Sequence, residues 1–263
     1  MEDQKVLAAC SKNGSICFWS IGDKVQLKEP RLHLDKNIHF AKYCNESNES
    51  KKYFAVGTNR GVHVYDVTEG VPMLLGVIDE GKAASDLDFL AEENKMVTVY
   101  DESIAKIWDL DTLKMERTID LRQYDIKGKM YSVINMKKND QLAIEHEKGL
   151  SAIIRKSDLM GEISVRHYKT PDKMHSGCLY FSKLERFILH NDPKSLVVLR
   201  EEDFSEIDRY TAVLGDVFSS SLDFNTKFVA TKDGSQVISY NNPTGSLFLG
   251  RNSEIRTQDS LIR

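Results

Sequence analysis

The sequence predicts an all-β fold assembled from about six copies of one four-stranded antiparallel unit. Pairs of short β-rich runs are joined by tight polar turns, and the pairs recur every 40 to 46 residues along a chain of 263 residues. Helical periodicity is nowhere sustained over the roughly ten residues that a helix requires. A repeat of this length is typical of a blade in a β-propeller.

Six strand pairs can be read along the chain, and the first three are the clearest. Each pair flanks a turn built from Gly, Asn or Asp, which readily adopt the positive φ of tight hairpins. The clear pairs are 5–11 with 15–21, 53–57 with 62–67, and 95–100 with 103–110. The weaker pairs are 142–146 with 150–155, 186–190 with 195–200, and 227–231 with 235–240.

Further short runs bring most units to four strands. Inner strands are predicted at 87–89, 179–181 and 222–224, where the pattern resembles Leu-x-Phe. Outer strands are predicted at 73–78, 117–121 and 163–168. The predicted domain therefore spans residues 1–250, and a polar tail follows at 251–263.

The third unit resembles a WD repeat. Residues 103–113, SIAKIWDLDTL, contain Trp108-Asp109, the dipeptide that gives this family its name, and Trp19-Ser20 and Tyr65-Asp66 are degraded versions of it. The resemblance implies a WD-repeat β-propeller, which exposes loops on two faces. No Gly-His dipeptide opens any repeat, so the buried network of Asp, His, Ser and Trp found in the family is expected to be missing.

The first of the six repeats begins at its second strand in this sequence, because Met1 lies directly before that strand. The propeller is therefore predicted to be open at the first blade, where an unpaired sheet edge would favour a further strand. The tail at 251–263 could supply this strand through residues 260–262, or residues beyond this sequence could do so. A partner protein could also donate it, as in coat and nuclear-pore propellers.

Composition narrows the range of partners and compartments. Hydrophobic residues at 41%, charged residues at 29% and a net charge of −4 indicate a folded protein without overall attraction to nucleic acid or anionic lipid. No apolar stretch approaches the roughly 20 residues of a membrane span, and the first residues lack a signal-peptide core. We expect a cytoplasmic or nuclear protein that binds neither membranes nor, directly, nucleic acid. Reduced, buried thiols are expected for the four cysteines Cys10, Cys17, Cys44 and Cys178.

No pattern in the sequence predicts an enzyme, a cofactor site or a metal site. The seven histidines lack zinc spacing, and the glycine motifs of phosphate and dinucleotide sites are absent. Residues 109–113, DLDTL, match the D-x-D-x-T pattern of haloacid-dehalogenase-type phosphatases, whose first Asp attacks phosphorus. Here the string follows a predicted β-hairpin instead of a parallel strand, so a structural turn is favoured.

The predicted function is a non-catalytic interaction scaffold, a subunit of a stable multiprotein assembly that binds partners through the loop faces or the open first blade. In a propeller, the turns between second and third strands and the connections between blades emerge on one face. A ring of basic residues there would suit an acidic or phosphorylated partner. The candidate partner-binding residues are Lys12, Asn13, Arg60, Lys82, Asp101, Lys127, Lys148, Lys194 and Lys232.

An alternative function is guanine-nucleotide exchange on, or regulation of, a small GTPase. Residues 95–110, KMVTVYDESIAKIWDL, faintly resemble a repeat in the propeller that activates the GTPase of the COPII coat. That family carries a glycine-rich N-terminal loop and a membrane anchor, and neither is seen in this sequence.

Overall fold

The computed structural model describes the greater part of the chain, and all structural statements below refer to that part. The described residues form β-strands and three short 3₁₀-helical turns. None of these helices is long and apolar enough to cross a membrane. The described ranges are 5–21, 25–34, 37–44, 52–136, 140–147, 149–167, 178–181, 186–192, 195–200, 205–210, 217–222, 226–231, 234–241 and 246–251.

The first of two compact units comprises residues 1–147 and 151–167. It contains four antiparallel sheets, called blades 1 to 4. Blade 1 consists of β1 (Lys5–Cys10), β2 (Ser15–Ile21) and β3 (Val25–His33). Blade 2 consists of β4 (Ile38–Tyr43), β5 (Tyr53–Thr58), β6 (Gly61–Asp66) and β7 (Met73–Ile78). Blade 3 consists of β8 (Asp86–Leu90), β9 (Lys95–Tyr100), β10 (Ile104–Asp109) and β11 (Met115–Asp120). Blade 4 consists of β12 (Met130–Met136), β13 (Gln141–His146), β14 (Gly149–Ile154) and β15 (Ser164–His167).

The second unit comprises residues 148–150 and 168–263 and contains two further four-stranded antiparallel sheets, blades 5 and 6. Blade 5 consists of β16 (Cys178–Phe181), β17 (Arg186–Asp192), β18 (Ser195–Arg200) and β19 (Glu206–Tyr210). Blade 6 consists of β20 (Val217–Leu222), β21 (Thr226–Thr231), β22 (Gly234–Asn241) and β23 (Ser246–Arg251).

All six predicted hairpins are confirmed, and the boundaries of their twelve strands lie within two residues of the predicted positions. The inner strand of blade 6 was predicted too late in the chain. Leu222 is the last residue of β20 and already pairs with Lys227 across the hairpin, so the strand lies before the Leu-x-Phe pattern. Residues 223 and 224 of that pattern lie outside the described part.

The hydrophobic core of the first unit lies in layers between successive blades. Strand β5 shows how the sequence produces these layers: Tyr53 and Ala55 pack in the layer between blades 2 and 3, whereas Phe54 and Val56 pack in the layer between blades 1 and 2. Successive side chains of a strand point to opposite faces of the sheet. Both faces of β5 are therefore buried, which explains a continuous apolar run instead of polar alternation.

A buried polar network is present in blade 3, and it differs from the network of Asp, His, Ser and Trp that is typical of WD repeats. Trp108 Nε1 donates a hydrogen bond to Thr98 Oγ1 at 2.9 Å, and Thr98 Oγ1 donates to the Tyr100 hydroxyl at 3.1 Å. Tyr100 in turn hydrogen-bonds Asp79, which forms an ion pair with Lys106 Nζ at 2.6 Å. Neither the histidine nor the serine of the family's network takes part, and Tyr100 lies at the end of β9 and not at the opening of the repeat.

Blade 1 contains three strands in the order β1-β2-β3 among the described residues, with β1 at one edge. The hairpin of β1 and β2 corresponds to the second and third strands of the other blades, so no described strand takes the place of an inner strand. Residues 1–4 and 252–263 lie outside the described part. How blade 1 is completed therefore stays a prediction, as does a tail beginning at residue 251.

Burial of the cysteines was predicted correctly for only one of the three described thiols. Cys44 is buried, but Cys10 and Cys17 on the hairpin of blade 1 are half-buried, and none of these three described thiols forms a disulfide. Burial nevertheless raises the pKa of the Cys10 thiol to about 11, with a smaller contribution from Cys17. The side chain of Cys178 lies outside the described part.

Candidate interaction face

The antiparallel order of each blade brings two kinds of loop to the same end of its strands. The turn between the second and third strands and the connection that enters the next blade both lie there, because alternate strands run in opposite directions. We call this surface of the first unit the loop face. Its described residues are 11–14, 34, 37, 59–60, 79–85, 101–103, 121–129 and 147.

Backbone hydrogen bonds join these turns to the connections in blades 1 and 2. In blade 1, Leu34 N–H donates to Gly14 C=O at 2.9 Å, and Ile38 N–H donates to Lys12 C=O at 3.2 Å. In blade 2, Gly81 N–H donates to the C=O of Arg60 at 3.0 Å. Each turn is thereby fixed against the segment that leads into the next blade.

Blade 3 continues the same arrangement, whereas the turn of blade 4 bonds to the connection that leads into blade 4 itself. Ser103 Oγ donates to Gly128 C=O at 3.2 Å in blade 3, and Glu147 N–H donates to Lys129 C=O at 2.9 Å in blade 4. Four successive turns are therefore held by the connections beside them. Since the backbone groups are used internally, the exposed side chains remain for contact with a partner.

The structure places six of the nine predicted partner-binding residues on the loop face. All six are exposed: Lys12, Asn13, Arg60, Lys82, Asp101 and Lys127. The other three, Lys148, Lys194 and Lys232, lie outside the described part of the chain. Two of the six side chains also shape the loops: Asn13 Oδ1 accepts hydrogen bonds from Ser11 Oγ and Ser15 N–H, and Asp101 Oδ1 accepts one from Ser85 Oγ.

The charges on the loop face are mixed, in contrast to the basic ring considered from the sequence. Within the described part of the chain, Lys12, Arg60 and Lys82 form no ion pair, whereas Lys127 Nζ binds Asp125 Oδ1 at 2.9 Å. Blade 3 contributes exposed carboxylates at 101 and 102. Among the described residues of the loop face, the exposed basic side chains without an ion pair thus belong to blade 1, blade 2 and the connection after blade 2, together with Lys129 after blade 3, whose Nζ lies over the Tyr131 ring.

The carboxylates of the buried Asp86 and the half-buried Asp88 on the inner strand β8 form a second polar cluster, which the sequence analysis missed. Asp86 Oδ2 accepts a hydrogen bond from Val133 N–H at 3.1 Å, and Asp88 Oδ2 accepts one from Asn135 N–H at 2.7 Å. Lys42 Nζ lies 3.2 Å from Asp86 Oδ2. Burial raises the pKa of both carboxyl groups, although Lys42 and the N–H donors oppose the shift. The signal in the sequence that could have indicated this cluster is a pair of aspartates at alternate positions of an otherwise apolar strand.

A serine between two histidines in blade 4 also escaped the sequence analysis. His146 Nδ1 lies 3.1 Å from Lys127 C=O and must donate to it, and the His146 Nε2 lies 3.2 Å from Ser151 Oγ. His167 Nδ1 lies 3.0 Å from the same hydroxyl oxygen. Ser151 is only 1% exposed, so its hydroxyl is closed to a substrate. The cluster therefore connects the loop at residue 127 to the outer strand.

The DLDTL string forms the turn between β10 and β11. Asp109 Oδ1 accepts hydrogen bonds from Thr112 N–H at 2.8 Å and from Thr112 Oγ1 at 2.6 Å, and Asp111 Oδ2 accepts one from Asn94 Nδ2 at 2.9 Å. The hydrogen bonds from Thr112 are the main reason why the pKa of Asp109 lies below its ordinary value. The string therefore lies between two strands, the context for which the sequence analysis favoured a structural turn over a catalytic motif.

In the described part of the chain, no group of three or more His, Cys, Asp or Glu residues could hold a metal ion.

Comparison with known proteins shows the fold but no family. No family model and no curated protein sequence matches the chain. The crystal structure of Saccharomyces cerevisiae Sqt1 matches with a TM-score of 0.66 at 15% identity, covering 93% of this chain and 69% of Sqt1. The computationally designed protein Ika8 matches with a TM-score of 0.61 at 15% identity, covering 90% of this chain and 69% of Ika8. Together with the repeated four-stranded sheets, these similarities show the all-β propeller fold.

Proposed function

We propose that this chain is a divergent WD-repeat propeller that acts as a non-catalytic interaction scaffold and binds partner proteins through the loop face. The observation that carries the proposal is the hydrogen bonding of four successive turns to the connections beside them. Loops fixed in this way lose little conformational entropy on binding, which favours affinity. Binding residues are commonly carried on loops that a rigid scaffold positions.

The charge pattern suggests the kind of protein surface that would bind. Lys12, Arg60 and Lys82 offer exposed cations, and Asp101 and Glu102 of blade 3 offer exposed anions. A partner with carboxylates opposite blades 1 and 2 and with basic groups opposite blade 3 would be complementary. Such complementarity contributes mainly to specificity and to the association rate.

The proposal includes a stable multiprotein assembly in the cytoplasm or the nucleus, in which a partner completes blade 1. Support comes from β1, which has no neighbouring strand at its inner edge among the described residues. An exposed strand edge presents backbone groups that another chain can pair with. A donated strand would satisfy these groups and would add a fourth strand to the blade.

The first test is affinity purification of the natural-abundance protein from its own cell type, followed by mass spectrometry. We expect near-stoichiometric recovery of one or a few fixed partners. The double variant Arg60→Glu/Lys82→Glu should lose partners of the loop face, because it reverses two exposed charges there. Lys114→Glu is the matched control, since Lys114 is exposed at the opposite end of β10.

Two outcomes would contradict the scaffold proposal. Recovery of the protein alone would exclude a stable assembly, and equal partner loss in the double variant and in Lys114→Glu would exclude the loop face as the binding surface. Acceleration of GDP release from a small GTPase by the purified chain would instead support the exchange-factor alternative. Phosphatase activity lost on Asp109→Asn would support the reading of DLDTL as a catalytic motif.

A further inference from the structure

The outer strand of blade 2 differs from the other outer strands of the first unit. Strand β7 has the sequence MLLGVI and contains no charged residue. The corresponding strands β3, β11 and β15 read VQLKEPRLH, MERTID and SVRH, so each carries charged side chains, and β3 also carries a proline. Charges and prolines on edge strands prevent pairing with other chains. Only β7 among these four lacks this protection.

Apolar side chains are exposed along the first half of this edge. Met73, Leu74 and Leu75 lie in β7, and Val71 lies before it, separated from the strand by the buried Pro72; we call these four exposed residues the blade 2 edge patch. The register shifts between the pairs Tyr65–Leu74 and Val64–Gly76, which leaves Leu75 as an extra residue. A β-bulge of this kind turns side chains away from the regular alternation.

The second half of β7 is covered by the neighbouring blade. A Cβ atom placed on Gly76 would lie 2.8 Å from Leu113 Cδ1, so the turn between β10 and β11 packs directly against this position. Ile78, at the end of the strand, is buried in the layer between blades 2 and 3. The accessible part of the edge is therefore the stretch that carries the blade 2 edge patch.

We propose that the blade 2 edge patch binds an extended apolar segment of a partner protein, which pairs with β7 as a fifth strand of blade 2. Main-chain hydrogen bonds to the free edge would supply part of the affinity, and alternate apolar side chains would contact the patch. The segment would carry uncharged side chains where it meets Val71, Met73, Leu74 and Leu75.

The size of the patch favours a short segment over a second copy of this chain. Strand β7 has six residues, and at roughly 3.3 Å per residue it is about 20 Å long. A neighbouring strand lies only about 4.8 Å away, so pairing along this edge buries on the order of a few hundred Å² per partner. Stable globular complexes bury roughly 800 Å² per partner, which this edge alone does not provide.

This inference goes beyond the loop-face proposal because it concerns a different surface. Residues 79–85 of the loop face follow the end of β7, whereas the blade 2 edge patch lies at its beginning. Loss of binding at one surface therefore need not affect the other. The two proposals can fail separately.

The test begins with selection of a displayed library of random peptides on the full chain. We expect the selected peptides to share alternating apolar residues and to slow amide hydrogen exchange in β7. Only the amides that face away from β6 should change, because the others already face β6, and these amides alternate along the strand except at the β-bulge of Leu75. Side-chain docking without strand pairing would not produce this alternation.

Two matched substitutions locate the binding site of a selected peptide. Met73 is 60% exposed within the patch, and Met160 is 53% exposed outside it, so lysine at either position removes few core contacts. Met73→Lys should weaken peptide binding by about tenfold or more, because the peptide would bring apolar groups against a charge. Met160→Lys should bind as the wild type does.

Three results would overturn the proposal. The first is that no peptide is enriched, and the second is that enriched peptides protect amides elsewhere while binding Met73→Lys normally. The third is self-association of the wild-type chain in sedimentation equilibrium that Met73→Lys abolishes and Met160→Lys retains. That result would assign the edge to a second copy of the chain.

Discussion

Asp86 and Asp88 show how single residues connect the inner strands of two blades. Their carboxylates accept hydrogen bonds from Val133 and Asn135 N–H groups in the next blade. Burial still disfavours the ionised form, and this raises the pKa of each group. The connection between β8 and β12 therefore includes groups whose charge depends on pH.

This shift gives the Asp86→Asn variant a defined pH dependence. A carboxyl group whose pKa is higher in the folded than in the unfolded chain contributes stability at low pH, and the contribution is lost as pH rises through the folded-state pKa. Asparagine keeps an acceptor for Val133 N–H but does not ionise. The free energy of unfolding of Asp86→Asn, relative to the wild type, should increase from acidic to neutral pH in urea titrations.

Asp120→Asn supplies the control of opposite sign. Asp120 is exposed on the outer strand of blade 3, and hydrogen bonding from Arg122 lowers its pKa. Its contribution to stability is present above the unfolded-state pKa and is lost as pH falls. Relative to the wild type, Asp120→Asn should therefore become less stable as pH rises. The same trend in both variants would contradict the assignment of the Asp86 shift to burial.

The polar network of blade 3 predicts a large effect for a small change. Thr98→Val preserves shape but removes the acceptor of Trp108 Nε1–H and the donor to the Tyr100 hydroxyl. A buried donor left without a partner costs about 1–3 kcal/mol. We expect Thr98→Val to lower the free energy of unfolding by this amount in urea titrations. Tyr100→Phe leaves the bond from Trp108 to Thr98 intact and should cost less; an equal or greater loss would contradict the proposed order of the network.

At the scale of elements, the hairpin turns depend on backbone conformation as well as on composition. Gly61 has a φ of +127°, and a Cβ atom there would lie 2.8 Å from the Ile78 carbonyl oxygen. The position therefore combines a left-handed backbone with close approach to the outer strand. Glycine meets both conditions because it lacks a side chain.

Substitution of two glycines can separate these effects. Gly81 has a φ of +88°, but a Cβ atom there would have no neighbour within 4 Å. Gly61→Ala should thus combine backbone strain with a steric clash and cost about 1–3 kcal/mol or more, whereas Gly81→Ala should show the strain alone. Chemical denaturation of both variants measures the difference. A Gly81→Ala variant that is as unstable as Gly61→Ala would show that the contact with Ile78 has no measurable effect.

Hairpins were predictable from the sequence because their determinants are local. Turn residues and flanking β-rich runs located β9 and β10 to within one residue. The inner strand of blade 6 was not located correctly, since the apparent Leu-x-Phe pattern begins where β20 ends. Pairing of an inner strand depends on its partner across the hairpin as well as on its own composition.

At the scale of the whole molecule, the first unit has separate core layers between successive blades. Ile16 lies in the layer between blades 1 and 2, and Ile144 lies in the layer between blades 3 and 4. Each Ile→Val substitution should cost about 0.5–1.5 kcal/mol. The double variant should show the sum of the single effects within about 0.5 kcal/mol in urea titrations, because distant sites act independently. A larger deviation would mean that the layers are coupled.

The loop face could be predicted from the sequence in outline. Repeat spacing located the turns, and antiparallel topology then placed Lys12, Arg60 and Lys82 at the same end of their blades. The pairing of Lys127 with Asp125 could not be predicted, because it depends on the left-handed conformation of Asp125 after the 3₁₀ turn. The hydrogen bonding of Asp86 and Asp88 could not be predicted either, because it uses N–H groups of a blade that lies more than forty residues further along the chain.

The bonds between turns and connections also determine how the protein responds to mechanical force. Force that a partner applies to Arg60 is transmitted through the hydrogen bond from Gly81 N–H to the Arg60 carbonyl oxygen, and it therefore reaches the segment that enters blade 3. Tension applied to a single hairpin is thus shared with the neighbouring blade instead of peeling that hairpin from its sheet. Such bonds distribute a load that would otherwise act on one loop alone.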